Sequence, residues 1–454
     1  MAKSLPVLKD QTSALRADGG RNFVIPADVS GRFNRLRRVV FVALIAIYAA
    51  LPWIHVGGHP AVFIDIQHRA FYLFGATFNA QDFWLAFFVV SGIGFSLIVV
   101  AALFGRIWCG YACPQTVFLD GVFRRIERLI EGPRGVRLKR DQAGVTWARI
   151  WRKLLKHATF LLLAFVVAHI FLSYFVSLPA LFDMVRASPS EHPEAFGWAF
   201  ATTAVMYVNF SWFREQLCIV ICPYGRLQSV LSDTDTLVIG YDSKRGEPRG
   251  KAKAEKPHGD CVDCGRCVVV CPTGIDIRNG LQLDCIGCAA CVDACDEVMD
   301  RLKRPRGLVR YDSHNGLMGQ VKRFLRPRAY LYMLLGAVGL VVASFSMSRH
   351  VSFEANLLRL PGAPYVLEDD EVRNALELHL VNKRGEPTTF KLTPAPGQAL
   401  RYVISQPSVK LEALASQRIP VFVFGPNDHV TRGVRLIVDD GMEPRLVEGR
   451  FVAP

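Results

Sequence analysis

Two cysteine runs in the middle of the chain have the spacing of iron–sulfur cluster ligands. Each run follows the pattern C-x2-C-x2-C-x3-C, and together the runs comprise Cys261, Cys264, Cys267, Cys271, Cys285, Cys288, Cys291 and Cys295. In two-cluster proteins of this type the first three cysteines of a run bind one [4Fe–4S] cluster and the fourth binds the other. The spacing therefore predicts one cluster on Cys261, Cys264, Cys267 and Cys295, and a second on Cys285, Cys288, Cys291 and Cys271.

The neighbours of these runs favour cluster ligands over structural or disulfide cysteines. Pro272 directly follows the first run, as the bacterial cluster pattern expects, whereas Asp296 follows the second. This departure leaves ligation unaffected, since proline supplies no ligand. Clusters held by thiolates require a reducing compartment, so we expect this part of the chain to lie in the cytoplasm.

The four other cysteines form two copies of a C-x3-C-P motif beside apolar segments. Cys109 and Cys113 precede Pro114, and Cys218 and Cys222 precede Pro223. If a helix continues through each motif, its two sulfurs lie on one face, because residues i and i+4 are neighbours. A four-sulfur site would suit Cu(I), zinc or an iron–sulfur centre, and a redox-active dithiol is also possible. The alternative is that these cysteines simply pack as small apolar side chains.

Long apolar runs account for the composition of this 454-residue chain, which is 51% hydrophobic. Five runs near 20 residues, without Asp, Glu, Lys or Arg, predict a five-helix transmembrane bundle. They cover residues 39–56, 83–104, 157–178, 196–213 and 329–347. The net charge is +14, and the Lys and Arg residues gather in the segments between these runs. This distribution indicates membrane topology, and we expect no nucleic-acid partner.

The distribution of Lys and Arg predicts the orientation in a bacterial inner membrane. Residues 1–38 hold eight Lys or Arg and residues 105–156 hold twelve, whereas residues 54–82 and 179–195 hold one each. We therefore expect a cytoplasmic N-terminal tail (1–38), loose over residues 1–31, and a transmembrane domain (39–242). These are followed by a cytoplasmic two-cluster domain with flexible basic linkers (243–328) and by a fifth membrane helix (329–347).

The last hundred residues have the pattern of a small β-domain. Short alternating runs at residues 375–381, 400–404, 419–424 and 434–438 are separated by turn sequences. This pattern predicts an all-β sandwich over residues 350–454, placed in the periplasm by the five spans.

Other candidate residues carry weaker signals. His55 and His59 could share a metal with Asp65 and His68 nearby, but the glycines and proline around them favour polar residues at a membrane surface. His169 lies inside the third apolar run. The sequence contains no haem-attachment, phosphate-loop or dinucleotide motif, so the electron donor must be another protein or a small reductant.

The chain resembles the cytochrome c oxidase accessory proteins, the FixG-like membrane iron–sulfur proteins encoded with cbb3-type oxidases. The resemblance rests on WCGYACPQTVF (108–118), CIVICPYGRLQSV (218–230), the two-cluster segment 259–300 and RGLVRYDS (306–313). It covers most of residues 30–350, and the β-pattern that follows suits the immunoglobulin-like domain that ends family members.

The resemblance implies a role in assembly of the cbb3-type oxidase, in which Cu(II) is reduced to Cu(I) for delivery to the enzyme. It makes Cys109, Cys113, Cys218 and Cys222 the candidate catalytic and copper-binding residues. The implied partners are a cytoplasmic electron donor, membrane lipid, and a copper chaperone or oxidase assembly factors.

Two other functions remain open at the level of the sequence. The C-x3-C-P pairs also resemble those of membrane ferredoxins in quinol-oxidising systems, where a quinone would be the redox partner. A scaffold or metallochaperone without turnover is the other alternative.

Overall fold

The computed structural model describes residues 23–454 except 57, 67–69, 80–82, 252–257, 324–325, 349–352, 369–370, 385, 413–414, 429 and 443. The chain divides into two compact units. One contains the segment Phe88–Val341, and the other combines His55–Phe87 with Val342–Pro454.

The helices are labelled in chain order, and most belong to the first unit. They are α1 (Arg32–Ala50), α2 (Phe83–Phe104), α3 (Ile107–Tyr111), α4 (Pro114–Phe118), α5 (Arg124–Glu131), α6 (Arg134–Gln142), α7 (Trp147–Leu172), α8 (Leu178–Arg186), α9 (Pro193–Val208), α10 (Pro223–Leu231), α11 (Ser243–Gly246), α12 (Arg266–Val269), α13 (Ala290–Arg301), α14 (His314–Leu317) and α15 (Pro327–Ser348). Wider π-helical turns cover Leu119–Phe123, Asn209–Phe213 and Leu217–Ile221.

Within the described residues, three helices are long and apolar enough to cross a membrane. They are Arg32–Trp53, Trp147–Leu172 and Pro327–Phe345, and a fourth span results if Val90–Phe104 and Ile107–Glu131, bent by 101°, count as one. The predicted span at 196–213 lies on α9 and the following π-turn, where Thr202, Thr203 and Asn209 reduce its hydropathy. The protein is thus a membrane protein, and the count of five spans stays a prediction.

The two-cluster domain is built around α12, α13 and a two-stranded sheet. The strands β6 (Val238–Tyr241) and β7 (Val309–Asp312) pair antiparallel. Hydrophobic side chains from these elements surround the cysteines, with Ile239, Ile277, Met299 and Leu308 all about 2% exposed or less.

The expectation of a loose N-terminal tail is wrong for residues 23–31. The backbone N–H of Ala27 donates to the carbonyl of Val269 at 2.7 Å. The first-turn N–H groups of Phe33 and Asn34 donate to the carboxylate of Asp293 on α13. Because α1 begins with these unpaired donors, a side chain of the cluster domain caps the first membrane helix.

The expectation of a flexible linker is wrong for residues 243–251. Residues 243–246 form α11, and Lys244 Nζ donates to the carbonyl of Met318 at 2.7 Å. Arg245 forms an ion pair with Asp260. Local ion pairs and hydrogen bonds thus hold this basic stretch against the cluster domain, whereas residues 252–257 lie outside the described residues.

The C-terminal region confirms the predicted sandwich. One sheet has the order β12-β14-β10-β8, with β9 paired to β10, and the other has the order β13-β11-β15-β16. The strands are β8 (Phe353–Arg359), β9 (Val366–Glu368), β10 (Glu371–Asn382), β11 (Thr388–Pro394), β12 (Arg401–Ile404), β13 (Ser408–Leu411), β14 (Ser416–Pro426), β15 (Arg432–Asp439) and β16 (Arg445–Phe451). Alternate residues of β10 and β14 face an apolar core that contains Phe353, Phe390 and Phe451.

Short hairpins that sequence reasoning missed occupy residues 55–79. They are β1 (His55–Val56), β2 (His59–Pro60), β3 (Val62–Asp65), β4 (Ala70–Leu73) and β5 (Ala76–Asn79). β1 pairs with β2, and β3, β4 and β5 form a small antiparallel sheet.

Candidate iron–sulfur and thiol sites

The first predicted ligand set lines one cavity. Cys261, Cys264, Cys267 and Cys295 all line one small cavity of about 20 Å³. Cys264 is exposed, whereas the other three are buried. The fourth cysteine of the second run thus lies with the first three of the first run, as the predicted exchange of ligands requires.

The second ligand set shows the reciprocal arrangement. Cys285 interacts electrostatically with Cys271 and Cys288. Cys291 interacts with the same three cysteines and also with Cys267 of the first set. The two sets are therefore adjacent, and the residues present fit two [4Fe–4S] clusters.

The two cysteine loops share an unusual backbone. Asp263 and Gly265 in the first run have φ of 50° and 64°. Gly287 and Ala289, at the equivalent positions of the second run, have φ of 67° and 59°. Non-glycine residues avoid this left-handed region at a cost of about 1 kcal/mol or more, so the shared geometry indicates a shared requirement to curve around a ligand.

Several thiols of the two sets are buried, which disfavours their charged form in the absence of metal. Burial raises the pKa of Cys267, Cys285 and Cys295 to about 12. Backbone N–H groups of Gly287, Ala290 and Val309 donate to Cys285, Cys288 and Cys295 respectively. Because cysteine binds metal as the thiolate, bound iron would have to supply the positive charge that these sites lack.

The structure contradicts the continuous helix through the C-x3-C-P motifs. Cys109 lies in α3, but Cys113 has extended backbone (φ −62°, ψ 126°) just before α4. Cys218 lies in the π-turn Leu217–Ile221, and Cys222 is likewise extended (φ −63°, ψ 110°) before α10. Pro114 and Pro223 each begin the next helix, the position where the missing N–H costs nothing. Extended backbone before a proline is the physical reason for the break.

The breaks still bring the four thiols together. Cys218 interacts electrostatically with Cys113, Cys109 and Cys222. The thiol of Cys109 also donates to Oε1 of the buried Gln228 at 3.4 Å. Among the described residues, no three Cys, His, Asp or Glu side chains lie in an arrangement that could hold a single metal ion, either here or in the two cysteine runs. We therefore describe the four membrane cysteines as a thiol cluster.

The segment that carries Cys109 packs against the loop of the second ligand set. Cys109 packs against the buried group that contains Cys288, Ile286 and Ala290. A Cβ on Gly110 would lie 2.8 Å from the carbonyl oxygen of Ile286 and 2.9 Å from Cα of Cys288. Real Cβ atoms essentially never approach so closely, so glycine is what allows the first C-x3-C-P motif to reach this loop.

A buried ionic network, which sequence reasoning missed, holds these segments in place. Arg37 of α1 donates to the carbonyl of Gly110 at 2.9 Å and pairs with Asp120 at 2.8 Å. Arg124 pairs with Asp120 and with Glu215, and it donates to the carbonyl of Pro272 at 3.0 Å. The only signal in the sequence was the presence of charged residues inside or beside apolar segments. The sequence alone does not show which of these residues form ion pairs with one another.

Among the described residues, His55, His59 and His169 belong to no metal-binding group. His55 and His59 lie on the hairpin β1–β2, where His59 stacks on Tyr72 at 3.9 Å, and His68 lies outside the described residues. His169 Nδ1 lies 2.8 Å from the carbonyl of Phe165 on its own helix.

Family models match three parts of the chain. A 4Fe–4S dicluster domain matches residues 213–314, a 4Fe–4S binding domain matches residues 83–133, and the IG-like fold at the C-terminus of FixG matches residues 343–454. The second match contains Cys109 and Cys113.

Curated relatives match nearly the whole chain. Protein RdxA of Cereibacter sphaeroides is 37% identical over 88% of this chain and 87% of its own. Nitrogen fixation protein FixG of Rhizobium meliloti is 35% identical over 82% of this chain and 79% of its own. Protein RdxB of Cereibacter sphaeroides is 34% identical over 95% of this chain and 91% of its own.

Proposed function

Because the chain belongs to the FixG family of membrane 4Fe–4S proteins, we propose that it reduces Cu(II) to Cu(I) at the thiol cluster during assembly of a cbb3-type cytochrome c oxidase. The family and its 4Fe–4S domains establish an iron–sulfur electron-transfer role. The copper acceptor and the oxidase are the parts that we propose.

The contact between Cys109 and the loop of Cys288 carries this proposal. Bound clusters would supply electrons one at a time. The exposed Cys264 puts the first ligand set at the surface, where a cytoplasmic donor could dock, whereas the second set adjoins the thiol cluster. The order of the residues thus suits transfer from a soluble donor towards the membrane cysteines.

The chemistry of the thiol cluster suits copper as substrate. Each reaction adds one electron to Cu(II), and the reduced donor loses that electron. Thiolates bind the soft Cu(I) product strongly, which favours the reduction. A copper chaperone or an oxidase assembly factor would then take the Cu(I) from the thiol cluster.

An anaerobic reoxidation experiment tests the proposal. The purified protein is reduced, excess reductant is removed, and stoichiometric Cu(II) is added while cluster absorbance and Cu(I) bound to a chelating probe are followed. We expect reoxidation matched by Cu(I). Protein that stays reduced with Cu(II) would refute copper as acceptor.

Replacing two of the membrane cysteines separates the thiol cluster from the iron sites. Cys109→Ala with Cys218→Ala should keep the iron content and lose copper binding, because it removes one thiol from each motif. Cys264→Ala is the converse variant, since it should lose one iron–sulfur cluster and retain the thiol cluster. Normal copper binding by the double variant would contradict the site.

A quinone-linked function is the second candidate, and one cavity favours it. An apolar cavity of about 240 Å³ lies between α7, α8 and α9, with His169 and Thr203 in its lining. Within the described residues the buried hydroxyl of Thr203 has no hydrogen-bond partner. Apolar pockets with a few polar groups commonly bind small molecules. Reoxidation by a quinone analogue, but not by Cu(II), would favour this function, and reoxidation by neither would favour a scaffold.

A further inference from the structure

A basic cavity of about 580 Å³ lies beside the first turns of α7, apart from the cysteine sites. Two helices contribute its charged lining. Arg137 and Arg140 come from α6, whereas Arg149, Arg152, Lys153 and Lys156 come from α7. The four residues of α7 have the spacing i, i+3, i+4 and i+7, so they lie on one helical face.

Positive charge in the cavity exceeds the negative charge available to balance it. Six cationic side chains line it, against the two carboxylates of Glu131 and Asp141. Arg137 and Lys156 pair with Glu131 and also with the buried Glu127, which Arg214 shares. Arg149 pairs with Asp141. Arg152 donates to the carbonyl of Ile130 at 3.1 Å, and its planar guanidinium still has donors for a second acceptor. The side-chain ammonium of Lys153 has no ion pair or hydrogen bond within the described residues.

The position of the cavity along α7 indicates the kind of anion. α7 is one of the helices able to cross a membrane, and the cationic face occupies its first three turns. Trp147 and Trp151 are 79% and 62% exposed on the same turns, and Trp212, 62% exposed, lines the cavity. Tryptophan is enriched where lipid headgroups meet the hydrocarbon, so the cavity opens at headgroup level.

We propose that this cavity binds the phosphate-bearing headgroup of an anionic phospholipid. Several cations around one pocket provide the donors that a phosphate requires, and basic pockets at the ends of membrane helices bind such headgroups. Tryptophan beside the cavity and apolar Phe23, Ile25 and Leu138 in its lining suit the glycerol and upper acyl region. The inference does not depend on the identity of the electron acceptor.

Native mass spectrometry of the full-length protein in a neutral detergent tests the proposal. The protein is titrated with phosphatidylglycerol, with phosphatidylcholine of the same chains, and with inorganic phosphate as competitor. We expect phosphatidylglycerol to bind at least about tenfold more tightly than phosphatidylcholine. Competition by millimolar phosphate would show that the phosphate group alone is recognised, whereas resistance to phosphate would show that the whole lipid is required.

Lys153→Gln removes a cation of the cavity whose ammonium has no ion pair within the described residues, and it leaves a polar side chain one atom shorter. We expect about a fivefold loss of phosphatidylglycerol affinity with unchanged cluster absorbance, which reports an intact fold. Lys139→Gln is the matched control, because Lys139 lies on α6, is exposed, and does not line the cavity. Equal affinity for both lipids, or equal effects of the two substitutions, would overturn the proposal.

Discussion

A single hydrogen atom at position 110 decides how closely the thiol cluster approaches the second ligand set. The space for a Cβ at Gly110 is already filled by the backbone of Ile286 and Cys288, and backbone cannot rotate away as a side chain can. The same residue offers its carbonyl to Arg37. In the transfer that we propose, Gly110 is therefore a positioning residue, although it carries no reactive group.

Gly110→Ala should separate the two sites while leaving all twelve cysteines in place. Overpacking typically lowers the free energy of unfolding by about 1–3 kcal/mol. A shift of about 1 Å at a reacting site can also slow a reaction by tenfold or more. We expect normal iron content and a Cu(II)-dependent reoxidation at least about tenfold slower. Gly94→Ala in α2 is the control, because its Cβ would meet nothing within 4 Å. Equal rates for both variants would show that the contact is unimportant.

The exchange of fourth ligands between the cysteine runs makes a second prediction at the residue scale. Because Cys295 lines the cavity of the first set, Cys295→Ala should alter the same cluster signal as Cys264→Ala. Cys271→Ala should instead alter the same signal as Cys288→Ala. Electron paramagnetic resonance of the reduced variants distinguishes the two clusters. A Cys295→Ala spectrum that matched Cys288→Ala would contradict the assignment.

Among the elements, the segment from α3 to α5 connects the membrane helices to the cluster domain. Its Asp120 forms ion pairs with both Arg37 and Arg124, and these three side chains are at most 12% exposed. Gln115 and Asn209 exchange hydrogen bonds of 3.2 and 2.7 Å between the two motif-bearing regions. Buried charges and amides of this kind have few alternative partners, so they favour one arrangement of the helices.

Arg37→Met should destabilise the first unit, because it leaves Asp120 with one cation and the Gly110 carbonyl without its donor. Removing one partner of a buried ion pair typically lowers the free energy of unfolding by about 3–5 kcal/mol. We expect a clearly lower thermal midpoint for loss of cluster absorbance in detergent. Arg38→Met, at an exposed position of the same helix, should change it little. Equal midpoints for the two variants would show that the network adds no net stability.

At the scale of the whole molecule, the number of spans decides on which side of the membrane each domain lies. The described residues contain three helices able to cross a membrane, or four with the bent pair. Our five-span proposal adds α9, and it places Gly144 inside and the C-terminal sandwich outside. With four spans, and Gly144 again inside, the C-terminus would lie inside.

Reporter fusions test this topology in bacterial cells. Alkaline phosphatase, which is active only outside the cytoplasm, should be inactive after Gly144 and active after Pro454 and within residues 187–192. An inactive fusion after Pro454 would support four spans. An active fusion after Gly144 would support three, because α7 would then be the second helix to cross.

The sequence by itself determined the chemistry of the iron sites and the classes of the domains. Ligand spacing along a loop is a local property, so C-x2-C-x2-C-x3-C predicts eight ligands, and even their exchange, without a fold. Alternation along strands and long uncharged runs are likewise local, which is why the sandwich and the helices near 83–104 and 329–347 were predicted with similar bounds.

Only the tertiary structure decided how these parts meet. Each C-x3-C-P motif would place its two thiols on one face only if a helix continued through it. Extended backbone at Cys113 and Cys222 breaks both helices, and the fold brings all four thiols together. The partners of Arg37, the cap that Asp293 provides, and the close approach at Gly110 join residues far apart in the chain. Contacts of this kind depend on packing in three dimensions, and neither spacing nor periodicity encodes them.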